Sequence, residues 1–400
     1  MVEIAGYWVV RFLFRRALGI IYLTAFLVAA NQYEALHGEN GIFPVGDFTD
    51  RSSFRNAPGL FHVVSSDTAI AGCAWVGVGL SVLTVTGLSD VFGTLWSMLV
   101  WGGLWVLYLS FVNGGRTFYG FGWESLLLET GFLAVFLGGM ATSPPDLVLW
   151  LLRWVLFRVM FGAGLIKLRG DTCWRDFTCM YYHYETQPMP NPLSWYFQKL
   201  PNWVHKASIG VHHVIELVVP FFYFAPQPIA AIAGVLTIIY QGWLMLSGNF
   251  SWLNALTIVL AISTFNDALF GALAGISAPS TTAVTPPLQI AVYGVVVVVA
   301  VLSYWPIRNM VSSGQTMNRS FDPLHLVNTY GAFGSITRER YELVIEGTTD
   351  EELTDETDWR SYEFKGKPTD TDRRPPQWAP YHLRLDWSRR KIVQNRLGSR

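Results

Sequence analysis

Charged residues are scarce in this chain of 400 residues: Asp, Glu, Lys and Arg make up only 14% of it, whereas soluble domains carry about 25%. Hydrophobic residues make up 51%, so the chain has too few polar side chains to cover a surface exposed to water. Such a chain needs the hydrocarbon core of a bilayer around it. The formal net charge is −1 and no basic stripe is present, which excludes nucleic acid as a partner.

Other features are missing as well. The chain has only three cysteines, too few for a scaffold framed by disulfides. No internal repeat is visible, which argues against an inverted-repeat transporter. No cleavable signal peptide is evident either: the first apolar run, 17–30, follows Arg11, Arg15 and Arg16 and lacks a small-residue cleavage site. We interpret this run as a retained signal-anchor helix.

Long apolar runs are what the chain has instead. A window of about 20 residues finds about nine of them. We therefore predict an all-α polytopic membrane bundle of about nine transmembrane helices over residues 1–310. The predicted spans are 12–30, 68–88, 92–112, 123–141, 147–168, 207–224, 229–247, 252–272 and 288–305.

The composition changes after Arg308, where an acidic stretch, 348–358, separates short alternating runs. The runs 341–348, 359–364 and 381–387 are typical of strands. We therefore predict a β-rich soluble domain over residues 311–400. Because the polar tail after residue 387 has no period, this domain is expected to be truncated, incomplete after 387.

The basic residues 11–16 predict a cytoplasmic N-terminus by the positive-inside rule. Nine spans then place residues 315–400 on the opposite side, together with the loop 169–206. That loop itself carries Arg169, Arg175, Lys199 and Lys206, which favour the cytoplasm. The side on which the loop lies stays open.

The loop 169–206 is predicted to be an interfacial cap on the bundle. Pro188, Pro190 and Pro192 prevent helix formation, and the many Trp and Tyr residues suit the level of the lipid headgroups. Two interpretations remain: the rings anchor the flanking helices, or they form a surface that contacts a client protein. The residues of the candidate client surface are Trp174, Arg175, Asp176, His183, Tyr184 and Glu185. We expect Arg175 to pair with Asp171 or Asp176.

Cys173 and Cys179 lie in the same loop. They would form a local disulfide if the loop is lumenal and stay reduced if it is cytoplasmic. A zinc site needs four ligands, and His183 adds only one, so no metal and no cofactor are predicted.

Ionisable residues inside the predicted spans favour a buried polar cluster. His212 and Glu216 share a helix face, as do His213 and Glu216, at spacings that allow metal binding, proton relay or plain hydrogen bonding. We favour a structural cluster in which arginines satisfy the acidic groups. Its members are Glu124, Glu129, Arg153, Arg158, His212, His213 and Glu216.

Three stretches resemble the lipase maturation factor family: "YGFGWESLLLETGFLAVFL" (119–137), "FGAGLIKLRGDTCWRDFTCMYYHYETQPMPNPLSWYF" (161–197) and "FDPLHLVNTYGAFGSITRERYELVIEGT" (321–348). The resemblance implies a multi-pass protein of the endoplasmic reticulum membrane that helps secreted lipases reach an active fold. A prokaryotic source would imply the cell membrane and another exported client. The expected partners are this client and the lipid bilayer, and the expected role is folding rather than catalysis. The family's C-terminal domain continues beyond 381–387.

A second, shorter resemblance gives the alternative function. "AGLIKL" (163–168) is distantly similar to the membrane core of the vitamin K-dependent γ-carboxylase, whose base is a lysine. This implies a membrane-embedded enzyme with Lys167 as the catalytic base. The plain interpretation is a lysine at the end of its helix that reaches the interface.

Overall fold

The computed structural model describes residues 6–350, 352–370 and 372–388, and most of them are helical. The α-helices in chain order are α1 (Trp8–His37), α2 (Val45–Arg51), α3 (Asp67–Thr86), α4 (Gly93–Gly114), α5 (Arg116–Tyr119), α6 (Gly122–Val135), α7 (Asp146–Arg169), α8 (Met180–Thr186), α9 (Ser194–Gln198), α10 (Asn202–Leu217), α11 (Ile229–Ser247), α12 (Leu253–Ala261), α13 (Asp267–Ala274), α14 (Pro286–Leu302) and α15 (Tyr304–Val311).

Seven helical stretches of the described chain are long and apolar enough to cross a membrane, and an eighth is added if α12 and α13 count as one span. The seven are Trp8–His37, Asp67–Thr86, Gly93–Gly114, Asp146–Arg169, Asn202–Phe224, Ile229–Ser247 and Pro286–Val311. The polytopic helical bundle is therefore confirmed, but the predicted count of about nine spans is not.

Two of the predicted spans account for the difference. The span 123–141 corresponds to α6, whose 14 residues are about 21 Å long, shorter than the hydrocarbon core of about 30 Å. Its leucines Leu126, Leu127 and Leu128 are fully buried by neighbouring helices. The span 252–272 is broken, because Leu253–Thr264 and Asp267–Ala274 meet at 95°. Mean hydropathy alone does not distinguish burial in protein from burial in lipid.

Helix α1 lies in the core of the bundle and packs closely on α3. A Cβ atom on Gly77 of α3 would clash with the ring of Phe26 of α1, so only glycine allows this approach. Small residues at helix contacts are typical of membrane bundles, where close packing rather than the hydrophobic effect holds helices together.

The basic residues at the start of α1 are largely buried. Asp90 pairs with Arg15 at 2.7 Å and with Arg16 at 2.9 Å. Arg11 donates to the carbonyl oxygens of Leu137 and Thr142. Because part of this charge is neutralised inside the bundle, the cluster is a weaker indicator of orientation than its sequence suggests.

The C-terminal segment, residues 312–388, covers the end of the bundle at which α7 finishes and the loop 169–206 lies. Asn191 of the loop donates to Gln377 at 3.0 Å. Asn249 donates to the carbonyl oxygen of Pro376 at 2.9 Å. The C-terminal segment is therefore docked on the loop and on the bundle at this end, which we call the loop end.

Strand structure in this segment is limited. Within the described residues, β1 (Ile345–Gly347) pairs antiparallel with β2 (Arg360–Tyr362), with Ile345 opposite Tyr362. The β-rich domain is not confirmed. The predicted strand 381–387 is wrong, because residues 384–388 are helical. The predicted truncation concerns residues 389–400, which lie outside the described residues.

The alternating pattern of 381–387 has another cause. His382 and Arg384 are both fully buried, and Leu383 is nearly so. The polar side chains enter the bundle instead of facing water, whereas the apolar Leu385 is 37% exposed, so the alternation does not separate a core face from a solvent face.

Candidate functional site

The loop 169–206 begins with a tight turn against the C-terminal segment. At Gly170 a Cβ atom would clash with the carbonyl oxygen of Gly334. The carboxylate of Asp171 accepts the N–H of Cys173 at 3.0 Å and pairs with Arg338 at 3.1 Å. Burial raises the pKa of Asp171, but the N–H of Cys173 and the Arg338 guanidinium outweigh it, and the net shift is downward.

The partner of Asp171 is therefore Arg338 and not Arg175. Arg175 and Asp176 are both exposed. Within the part of the chain that the structure describes, neither of them takes part in an ion pair, so the predicted pairing of Arg175 is wrong. The sequence could not reveal Arg338 as the partner, because it lies 167 residues away from Asp171.

Below this turn lies a small hydrophobic cluster. Cys173 and Cys179 are joined in a disulfide, with their Cα atoms 4.8 Å apart. Trp174 between them is buried and donates its Nε1–H to the carbonyl oxygen of Phe333 at 2.8 Å. The cluster also contains Met180, Tyr184, Ile209 and Ile336.

The six residues of the predicted client surface do not share one face. Trp174, His183 and Tyr184 are buried, whereas Arg175, Asp176 and Glu185 are exposed. Burial, together with the nearby charge of Lys167, lowers the pKa of His183 to about 3. Burial raises the pKa of Tyr184 to about 12. The buried residues support the loop, and only the exposed ones can contact a client directly.

A different set of side chains forms an exposed surface on the same loop, which we call the aromatic patch: Trp195, Tyr196, Lys199 and Arg374. The exposed fractions are 64% for Trp195 and 54% for Tyr196. Lys199 lies 5.2 Å from the ring centre of Trp195, and Arg374 lies 5.4 Å from that of Tyr196. The aromatic residues of the loop indicated this patch, but Arg374 comes from the distant C-terminal segment.

Lys167 of α7, His212 and Glu216 of α10 and Tyr240 of α11 form one connected group. Lys167 and Glu216 make a buried ion pair. Tyr240 donates its hydroxyl to Glu216 Oε1 at 2.7 Å, and His212 Nδ1 is hydrogen-bonded to the Tyr240 oxygen. Lys167 therefore does not reach the interface, and the partner of Glu216 is a lysine rather than one of the predicted arginines.

His213 does not join this group. Its Nε2 lies 3.1 Å from the carbonyl oxygen of Trp174. The described ranges contain no group of three or more His, Cys, Asp or Glu side chains placed to hold a metal ion.

Arg158 and Glu129 form a second buried ion pair. The C-terminal segment completes it: Tyr330 donates to Glu129 at 2.6 Å, and Asn328 donates to it at 3.0 Å. Arg158 in turn donates to the carbonyl oxygen of Asn328 at 2.7 Å. The stretch 328–330 is thus part of the bundle core.

A third group joins the end of the described chain to α6. Arg384 pairs with Glu124 at 2.9 Å, and His382 Nδ1 lies 3.6 Å from the same oxygen. Burial lowers the pKa of His382 to about 4. Arg153 is not part of this group, because its guanidinium donates to the carbonyl oxygens of Ser263 and Tyr223. The predicted cluster is therefore divided into three separate groups, two of which include residues from the C-terminal segment, while Arg153 and His213 belong to none of them.

These features define a multi-pass helical membrane protein whose C-terminal segment is joined to the bundle by the buried Arg384–Glu124 pair and to the loop by the Arg338–Asp171 pair. Two family models match the chain: the lipase maturation factor transmembrane domain over residues 9–272 and the lipase maturation factor C-terminal domain over residues 326–390. The chain belongs to the lipase maturation factor family, and the resemblance seen in its sequence is confirmed.

Individual relatives agree with this assignment. Lipase maturation factor 1 of Mus musculus is 40% identical over 425 aligned residues, which cover 95% of this chain and 73% of the relative. The Homo sapiens protein of the same name is 41% identical with the same coverage. Lipase maturation factor 2 of Homo sapiens is 32% identical over 72% of this chain and 46% of its own length. No solved structure matches the chain, and no match supports the alternative of a lysine-based membrane enzyme.

Proposed function

We propose that this protein is a maturation factor of the endoplasmic reticulum membrane, or of the cell membrane in a prokaryotic source, which assists the folding and assembly of secreted lipases or related exported proteins. The observation that carries this proposal is similarity over 95% of the chain to proteins named lipase maturation factor 1. The matched residues include the bundle and the C-terminal segment, both of which form the loop end.

The aromatic patch is the surface that we assign to the client. Trp, Tyr and Arg are the residues that dominate binding at protein interfaces. Hydrogen bonds of Asn191 hold the patch in place, since Asn191 Oδ1 accepts the N–H of Ser194 at 3.0 Å and its Nδ2 donates to Gln377 at 3.0 Å. A patch fixed in this way loses little conformational entropy when a client binds.

A complementation experiment tests the proposal. Cells that lack their own maturation factor would express a secreted dimeric lipase together with this protein, and lipase activity in the medium would be measured. The wild-type protein should restore activity. The Trp195→Ala variant should lower it by about tenfold, because truncation of a central interface residue typically costs more than 1 kcal/mol.

The matched control is Phe54→Ala. Phe54 is 60% exposed, close to the 64% of Trp195, and it lies between α2 and α3, outside the membrane-spanning helices and outside the aromatic patch. It should leave lipase activity unchanged. Equal effects of the two variants would contradict the assignment of the patch, and failure of the wild-type protein would contradict the proposed function itself.

A further inference from the structure

A groove runs between α10 and α11 on the side of the bundle that faces lipid. Its volume is about 340 Å³. Its rim is exposed, with Val211 53% and Ile239 65% accessible. The lining side chains are almost all apolar, apart from three: Ser208, His212 and Tyr240.

Behind this groove lies an internal cavity of about 200 Å³. His212 lines both spaces, so it forms the wall between the groove and the cavity. The cavity has mostly apolar walls, including Val159, Met160 and Leu244, and the ion-paired Lys167 and Glu216 also line it. The groove therefore ends at His212 and Tyr240, which are hydrogen-bonded to each other and, through Tyr240, to the buried Glu216.

This polar group presents acceptors and no net charge. Lys167 and Glu216 neutralise each other. Glu216 Oε2 is buried and, among the described residues, has no hydrogen-bond partner. Because Tyr240 donates to Glu216, its oxygen must accept from His212 Nδ1–H, which leaves His212 Nε2 as a second acceptor. A buried acceptor without a donor is unfavourable by about 1–3 kcal/mol.

We infer that the α10–α11 groove binds a neutral single-chain amphiphile with a hydroxyl head, of the class of monoacylglycerols and fatty alcohols. The chain lies in the apolar groove, and the hydroxyl donates to Nε2 of His212, which lines the groove. A charged head would enter a dry site with no opposite charge available to it. A phospholipid is excluded from this site for the same reason, since its phosphate is charged.

The test is native mass spectrometry of the purified full-length protein with amphiphiles that share one acyl chain: monoolein, oleate and oleylamine. Monoolein should bind saturably and about tenfold more tightly than the two charged amphiphiles, a difference of roughly 1.4 kcal/mol. Equal binding of the three amphiphiles would contradict recognition of the hydroxyl head. If monoolein did not bind saturably, the proposed binding site itself would be contradicted.

Two lipid-facing variants locate the binding. Val211→Trp fills the groove, whereas Val214→Trp is the control, since Val214 is also 53% exposed on α10 but lies outside the groove. Val211→Trp should weaken monoolein binding about tenfold, and Val214→Trp should not. If Val211→Trp does not fold, Ile239→Trp serves with Ile232→Trp as its control on α11. Equal binding by the groove variant and its control would overturn the proposal. The lipase assay is not involved, so this test is independent of the proposed function.

Discussion

The ion pair between Lys167 and Glu216 allows a sharp test of how the bundle is held together. Only 2% of Lys167 and 3% of Glu216 is accessible. Glu216→Leu removes the carboxylate and leaves the ammonium group buried without its partner. Loss of one partner of a buried pair costs about 3–5 kcal/mol, which lowers the folding equilibrium constant by roughly two to four orders of magnitude.

The double variant Lys167→Met/Glu216→Leu removes both charges, and so tests whether the stability lost in Glu216→Leu is due to the unpaired charge of Lys167. Replacing both charges by apolar side chains of similar volume is often close to neutral. We therefore expect the double variant to recover most of the stability lost in Glu216→Leu. Tyr240 then loses its acceptor, so a deficit of about 1 kcal/mol should remain.

The assay is unfolding in mixed micelles with increasing SDS, followed by tryptophan fluorescence and circular dichroism. We expect the wild type to be the most stable, the double variant to be intermediate and Glu216→Leu to be the least stable. A Glu216→Leu variant as stable as the wild type would refute a structural role for the pair. If that stable variant also failed to mature lipase, the pair would instead have a chemical role such as proton relay.

Three further predictions follow from the loop end. The disulfide between Cys173 and Cys179 favours an oxidising, extracytoplasmic compartment for the loop end, so cysteine labelling should reach the exposed positions Arg175→Cys and Tyr341→Cys from that side. Phe92→Cys should be labelled from the opposite side, because the exposed Phe92 lies at the other end of the bundle; cytoplasmic labelling of Arg175→Cys would contradict this orientation. Arg338→Ala should make the loop 169–206 more sensitive to protease while Arg175→Ala should not, and the same digestion pattern in both would contradict the role of Arg338. The pKa of His183 is lowered to about 3, so its contribution to stability is complete above pH 6.5 and is lost as the pH falls: about 1.4 kcal/mol should be lost at pH 5.5, and His183→Asn should remove that part of the pH dependence.

The fold class was predictable because long apolar runs leave few alternatives. The family was predictable because the stretches 119–137, 161–197 and 321–348 are long and occur in the expected order. The number of spans was not: α6 is as apolar as a membrane helix, but other helices bury it. A hydropathy window measures only how apolar a segment is and does not identify what surrounds it.

The partners of the buried charges were only partly predictable. Arg158 does pair with Glu129, as the general expectation of arginine–carboxylate pairs suggested. The pairing of Glu124 with Arg384 was missed, because 260 residues separate them in sequence and spacing rules cover only neighbours on one helix. The alternating pattern instead places Arg384 in the predicted strand 381–387.

The most direct test of the account is whether the aromatic patch touches the client. A photo-crosslinking amino acid would replace Tyr196 in cells that secrete a dimeric lipase, and in a parallel control it would replace Phe54, which lies between α2 and α3 outside the membrane-spanning helices. Tyr196 is 54% exposed and Phe54 is 60% exposed, so both positions are similarly accessible. The account predicts a crosslink from position 196 to newly made lipase before its secretion, and none from position 54. No crosslink from position 196, or equal crosslinks from both positions, would contradict it.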